Sequence, residues 1–522
     1  MKIKNKTKSQ EIGLVSAIWM MFSLIAGISF TLMFSGLNED PKNFIGYHIV
    51  WIILIVSIFL FSSAWAYIKC TRIHNSANGG GGQFVRSAFG PFWGMFFNFI
   101  SVLCISIVVM IMIVSSIRMS LENIQVVKDT FGNWTKLVLD IFGILACAVG
   151  ATIVVLGINK FKMASTLIAY TTWAITLLIL IFGLVLIFTP SDSAAVKPPT
   201  GSVVSTVNLN SFVNVFMLVV FSFTGFETFI STGSAIKNRK KNMPIIVLVG
   251  IALATVFFMV FSTIIIASVI NDFGGNPNAN MFNRFNSVFI QKGGWFIVVI
   301  CTFLNRFNTM TQLSLYGSNV LEPLIKEGYV SKKLFSSKEL KNHIDKKAVF
   351  AFFLLNITFA TIFLLLPDLI QGITGEESLI GYGTLANVTS LIFISEYIMV
   401  MLAAIKFGFK KQVKVNITEY IIWAITIFIF GAICIYTVAQ MFIDFVNGIN
   451  TGNIQEWVAP LIQIVFIITM VIISLVLFFV VKPRILSKLS SEEIKQMEEY
   501  QFVTFEILED EKLKIKTKEV SV

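Results

Sequence analysis

Three ionisable side chains stand inside long apolar stretches of this chain: Glu227, Arg306 and Glu396. A charge in hydrocarbon costs at least about 2.5–3.5 kcal/mol, so such residues are candidates for gating or ion coupling. Glu227 fits proton coupling, or else a structural hydrogen-bonding role. Arg306 suits either a pairing with Glu227 or Glu396 or the attraction of a substrate carboxylate. It lies among Asn305, Asn308, Thr309, Thr311, Gln312 and Ser314. Asn305, Asn308, Thr309 and Gln312 share one helical face, as a cavity lining would. Asp140, close to the end of its stretch, is expected to be solvated.

Backbone can do chemistry too. Two apolar stretches carry small polar interruptions: Phe22-Ser23-Leu24-Ile25-Ala26-Gly27-Ile28-Ser29-Phe30 and Phe221-Ser222-Phe223-Thr224-Gly225-Phe226-Glu227-Thr228. A helix unwound at Gly27 or Gly225 would free N–H and C=O groups at mid-membrane, where they can hold a zwitterion. N–H groups near Ala26, Gly27 and Ile28 would take a carboxylate. Carbonyls around Ser23 and Phe223, with Thr224 and Gly225 at the second break, would take an amine. Phe221 or Phe226 would close over the site.

Other chemistries lack their residues. His48, His74 and His343 form no metal-ligand spacing, and there is no GxSxG or Walker A motif. No enzyme, metal site or cofactor is expected. Gly79 to Gly82 are followed by no Lys-Ser/Thr, so they read as flexible backbone at the membrane surface. Cys70, Cys104, Cys147, Cys301 and Cys434 are scattered and read as small apolar side chains.

The elements that position these groups follow from composition. Hydrophobic residues reach 56% and charged residues only 13%, about half the usual ~25%. So few charges cannot cover a water-soluble surface. Twelve stretches are long enough to span a bilayer as helices: 12–36, 45–69, 91–117, 136–158, 163–189, 211–236, 243–270, 291–322, 347–367, 378–405, 418–442 and 457–481. With the N-terminus inside, 32 of the 40 Lys and Arg fall on the inner side and 7 on the outer. The positive-inside rule therefore puts both termini in the cytoplasm. The net charge of +11 is accounted for in this way, and no nucleic-acid partner is expected. The tail 482–522 carries a capping box at Ser490 and Glu493.

The two interruptions lie five spans apart. That spacing fits an all-α polytopic membrane protein of 12 transmembrane helices: two inverted five-helix repeats with broken helices 1 and 6, plus two C-terminal helices. The expected organisation is 1–10 N-terminus, 11–189 first repeat, 211–406 second repeat, 418–481 helices 11 and 12, and 482–522 tail.

Residues Gly80-Gly81-Gly82-Gln83-Phe84 through Ala88-Phe89-Gly90-Pro91-Phe92-Trp93-Gly94 resemble the loop and helix 3 start of the amino acid–polyamine–organocation permease superfamily. Phe223-Thr224-Gly225-Phe226-Glu227, continuing to Lys237-Asn238 and Pro244, is similar to that superfamily's helix 6 and its exit. Ser318-Asn319-Val320-Leu321 to Glu327-Gly328 is similar to its helix 8 end. Departures are Ile25 and Ser29 in helix 1, Ala235 and Asn238-Arg239 after helix 6, and Asn319 in helix 8. The resemblance implies a secondary active transporter in the cell membrane, moving an amino acid by alternating access. It implies H+ or Na+ as coupling ion, membrane lipid as surroundings, and leaves a homodimer open. Span 5 has no lysine to carry a proton, as some relatives have. Alternatives are a polyamine or other organic-cation permease, an amino acid exchanger, or a sensor that does not transport.

Overall fold

A computed structural model describes residues 12–29, 45–73, 79–122, 124–188, 207–231, 236–269, 277–330, 345–375, 382–452, 454–492 and 494. His74, Ala235, His343, Glu493 of the expected capping box and most of both termini lie outside this set. The described residues are helical, apart from one isolated parallel bridge joining Ile12 and Ile236. Among the described residues eleven helices are long and apolar enough to cross a membrane, and a shorter apolar helix over Leu14–Gly27 precedes them.

Residues 14–188 hold α1 (Leu14–Ser29), α2 (His48–Thr71), the short α3 (Gly81–Phe89), α4 (Pro91–Ser116), α5 (Thr135–Val155) and α6 (Ile158–Phe188). Next come α7 (Leu209–Phe223) and α8 (Phe226–Ile230), two pieces of one span, then α9 (Arg239–Val269) and α10 (Val288–Lys326). The remainder is α11 (Lys346–Ala360), α12 (Leu366–Thr374), α13 (Tyr382–Phe409), α14 (Ile417–Thr451) and α15 (Ile454–Val476). A single π turn, Thr361–Leu365, joins α11 to α12 just before Pro367, whose missing N–H suits a ladder already loosened there.

Burial separates core from lipid face. The apolar window of α4 is 94% buried, whereas that of the last span is 11% buried. Thus α4 is central, and α14 and α15 offer apolar side chains such as Phe428, Ile435 and Ile472 to the bilayer. Helix ends are set by side-chain caps: Asn208 with Ser211 opens α7, Asp345 opens α11, and Asn416 with Glu419 opens α14. Glu419 also takes Lys69 Nζ at 2.9 Å and Trp65 Nε1 at 2.6 Å, tying α2 to α14.

The opposite end is tied by one guanidinium. Arg118 reaches Asp140 at 2.9 Å, Asp368 at 3.1 Å and Glu122 at 3.2 Å. Asp140 is fully buried, which corrects the expectation of a solvated side chain. Lying one turn into α5, it is turned inward against α4 rather than toward water. Replacing Arg118 by Met leaves buried carboxylates without their cation, and breaking such pairs typically costs about 3–5 kcal/mol. We expect Arg118→Met to lower the melting temperature markedly. The double change Arg118→Met with Asp140→Asn should recover part of the loss, read by thermal denaturation in one detergent.

Candidate functional site

The helix 6 break is where the sequence places it. α7 ends at Phe223, and Thr224 turns away with ψ 147°. Gly225 then adopts φ +122°, a conformation that side-chain-bearing residues avoid. A Cβ on Gly225 would also meet Leu24 Cδ2 of α1 at 2.9 Å. Two features, strain and close approach, thus require glycine. Phe221, Phe223 and Phe226 are all buried around the break. Phe223 packs edge-on against Phe258, and Phe226 lies between Tyr67 and Tyr397.

The helix 1 break is not there. α1 runs without interruption from Leu14 to Ser29, so the backbone N–H groups of Ala26, Gly27 and Ile28 lie within a helix. They are not the free donors expected for a carboxylate. Gly27 has another reason to be small: a Cβ there would collide with Thr309 Oγ1 of α10. It is a packing glycine that lets α1 and α10 touch. On the same face, Asn308 Nδ2 donates to Ser23 Oγ at 2.6 Å.

Arg306 is fully buried, and its Nη1 donates to the Gly27 carbonyl and faces Met112 Sδ at 3.7 Å. Pairing with Glu227 or Glu396 is therefore not what the structure has. The guanidinium is turned to α1 and α4, while both carboxylates are satisfied elsewhere. Around it, Asn308 Oδ1, Thr309 Oγ1 and Gln312 Nε2 are buried with no hydrogen-bond partner among the described residues. Gln312 Oε1 accepts from Tyr316. The shared polar face of α10 thus lies against α1, with donors and an acceptor left over. Buried polar atoms are rarely left so, which marks this face for a polar ligand or ordered water.

Glu227 and Glu396 come together. Glu227, just after the break, accepts from the Gly225 N–H at 2.9 Å, Thr228 Oγ1 at 3.3 Å and Tyr397 OH at 3.1 Å. Glu396 accepts from Tyr67 OH at 2.9 Å and Ser101 Oγ at 2.5 Å. Both carboxylates line one cavity of about 10 Å³, enough for about one water. Gly79, Gly81, Ser101, Thr228 and Val320 contribute to its wall. Among the described residues no cationic side chain is a hydrogen-bond or ion-pair partner of either carboxylate.

Tyr67, Ser101 and Tyr397 were not legible as site residues. Each is one hydroxyl in an apolar helix, and only the fold brings it to a carboxylate. The glycine run also has a sharper role than flexibility. A Cβ on Gly81 would overlap Glu396 Oε1 and meet Tyr67 OH at 2.8 Å. The run lets the start of α3 lie directly against the carboxylate.

A bundle of membrane-spanning helices, one broken beside a buried carboxylate pair, defines a transporter of the broken-helix class. The chain matches the amino acid permease family over residues 12–473, and it belongs to that family. Two mutant forms of the manganese transporter of Eremococcus coleocola share its fold. Each has a TM-score of 0.59 at 12% identity, covering 90% of this chain and 95% of that one. Comparison with curated proteins finds no match.

Gly81→Ala should displace the Glu396 carboxylate from Tyr67 and Ser101. Overpacking of this kind costs about 1–3 kcal/mol. We expect a lower melting temperature together with loss of transport, whereas Gly13→Ala, where a Cβ meets nothing within 4 Å, should change neither.

Proposed function

We propose that this permease moves an amino acid across the cell membrane by alternating access, coupled to protons. The observation that carries the reading is the break at Thr224–Gly225 standing directly beside Glu227, which shares one cavity with Glu396. Two buried carboxylates whose partners among the described residues are hydroxyl and N–H donors are left to be neutralised by protons, or by a cationic group of the substrate. The open carbonyls at the end of α7, Phe223 among them, suit an amine. Thr309 and Gln312 offer unpartnered donors for the substrate carboxylate, beside Arg306. Phe221 and Phe226 flank the break as its apolar walls.

In this reading the two five-helix repeats occupy 11–189 and 211–406, helices 11 and 12 follow, and both termini face the cytoplasm. The protein has no enzymatic step; it works by binding and rearrangement, with lipid around it. A second reading has one observation behind it. A cavity lined by two carboxylates also suits a polyamine, a basic amino acid or another organic cation. The neighbours transport manganese, but among the described residues no three His, Cys, Asp or Glu side chains gather to hold a metal ion.

Purified protein should be screened by thermal shift against the twenty amino acids and common polyamines. A ligand at 100 times its Kd stabilises the native state by about 2.7 kcal/mol. A stabilising amino acid is then tested for uptake into proteoliposomes under an imposed pH gradient. We expect Glu227→Gln to keep binding and to lose pH-driven accumulation. Unchanged accumulation in the folded variant would remove Glu227 from coupling. Stabilisation by polyamines alone would select the second reading.

A further inference from the structure

Beyond the carboxylate pair, α3 carries a second buried charge at its other end. Arg86 Nη1 meets Glu327 Oε1 at 2.9 Å, with their side chains 9% and 2% exposed. Glu327 caps the end of α10, and Gly328 follows with φ +79°. Lys482, at the end of the last span, donates to Tyr329 OH at 3.0 Å and lies over the Tyr329 ring at 4.4 Å. Tyr329 in turn stacks on Phe478, and Phe478 packs edge-on against Phe92 at the start of α4. Gly94 faces the Arg86 side chain so closely that a Cβ there would overlap it. Three regions that are distant in sequence, residues 86–94, 327–329 and 478–482, therefore meet around one ion pair.

We propose that Arg86 and Glu327, buttressed by Lys482 and Tyr329, form a latch that holds α3 across the inner end of the site, and that the latch holds in acid and loosens in alkali. The proposal rests on the alternating-access reading above. α3 is suited to such a role because its two ends do different things. Its first residue, Gly81, lies against Glu396, and Arg86 five residues on fixes it to α10. Releasing the pair frees a short helix whose first residue lines the carboxylate cavity.

The pH dependence follows from burial. Burial pushes the Glu327 carboxyl up from 4.5 to about 7, against the lowering by Arg86 and Lys482. The charged groups facing it are Arg86 from α3 and Lys482 from the last span. Tyr329 adjoins it, and Glu322 and Lys326 pair with each other one turn back on α10. A carboxyl that binds its proton more tightly when enclosed than when hydrated favours the enclosed state in acid. That contribution is complete below about 4.5 and lost as pH rises through about 7. Between pH 6 and pH 8 the closed-to-open ratio should fall about tenfold.

The test uses the full chain with its five cysteines replaced and Val320→Cys as reporter, since Val320 lines the cavity behind α3. Mixed-disulfide formation with a charged methanethiosulfonate, which releases methanesulfinate, is timed from pH 6 to pH 8 in nanodiscs. Rates are divided by those of an exposed reference, Lys410→Cys, to remove the thiol's own titration. We expect the ratio to rise about tenfold over that range. Glu327→Gln, which stays neutral and still accepts from Arg86, should be slow at every pH. Arg86→Gln should be faster than the parent at pH 8. If Val320→Cys does not fold, Ile105→Cys reports on the same cavity. A flat ratio in the parent, or an undiminished rise in Glu327→Gln, would overturn the latch. The labelling reads opening and not cargo. Failure of every amino acid to bind, with the pH response intact, would therefore sink the transport reading and leave the latch standing.

Discussion

A carboxylate held inside a bilayer needs a counter-charge or a proton, and among the described residues Glu227 and Glu396 have neither a lysine nor an arginine as partner. Much of the core is arranged around that constraint. Tyr67 comes from α2, Ser101 from α4 and Tyr397 from α13, each supplying one O–H. Gly225 supplies an N–H because the span is broken there and its donor is not used by a helix. The break and the carboxylate are therefore one device. Glu227 caps the short helix that follows the break, and the break exposes Glu227 to the cavity.

The ends of the bundle are held differently from its middle. At one end Arg118 gathers three acidic side chains from separate segments, and at the other Arg86 meets Glu327 under Lys482. Both are buried pairs, in which losing one partner is far costlier than losing both. The middle has hydroxyl hydrogen bonds, which rearrange by rotating one torsion. A transporter needs this division: ties that define states at the ends, and exchangeable contacts at the centre.

The helical architecture was legible in the sequence because a bilayer leaves a chain few choices. Runs of twenty apolar residues announce themselves, and the observed helices fall on them, though the helix expected to end at 442 runs on to Thr451 and the one expected to end at 367 runs on to Thr374. The break at Gly225 was legible because Thr-Gly precedes an acidic residue inside an apolar span. Gly27 misled, since glycine serves close packing as readily as unwinding. What separates the two is Thr309, far along the chain. Arg306 misled similarly. The acidic residues a sequence reading offers it are not its neighbours in space, and what it meets is a backbone carbonyl, which no side-chain pattern announces. Asp140 looked solvated by position alone, while its burial depends on Arg118 and Asp368 arriving together. The hydroxyl donors stayed hidden for the same reason: their role is set by helix packing, not by local pattern.

The central claim is that the Glu227–Glu396 pair carries a proton at neutral pH in place of a cationic partner. Infrared difference spectroscopy of the reconstituted protein tests it directly, because a protonated carboxyl has a C=O stretch separate from the amide and carboxylate bands. Such a band is expected at neutral pH, fading on alkalinisation and lost when Glu227 and Glu396 are both replaced by Gln. A spectrum with no protonated carboxyl at neutral pH, or one unchanged in that double variant, would contradict it.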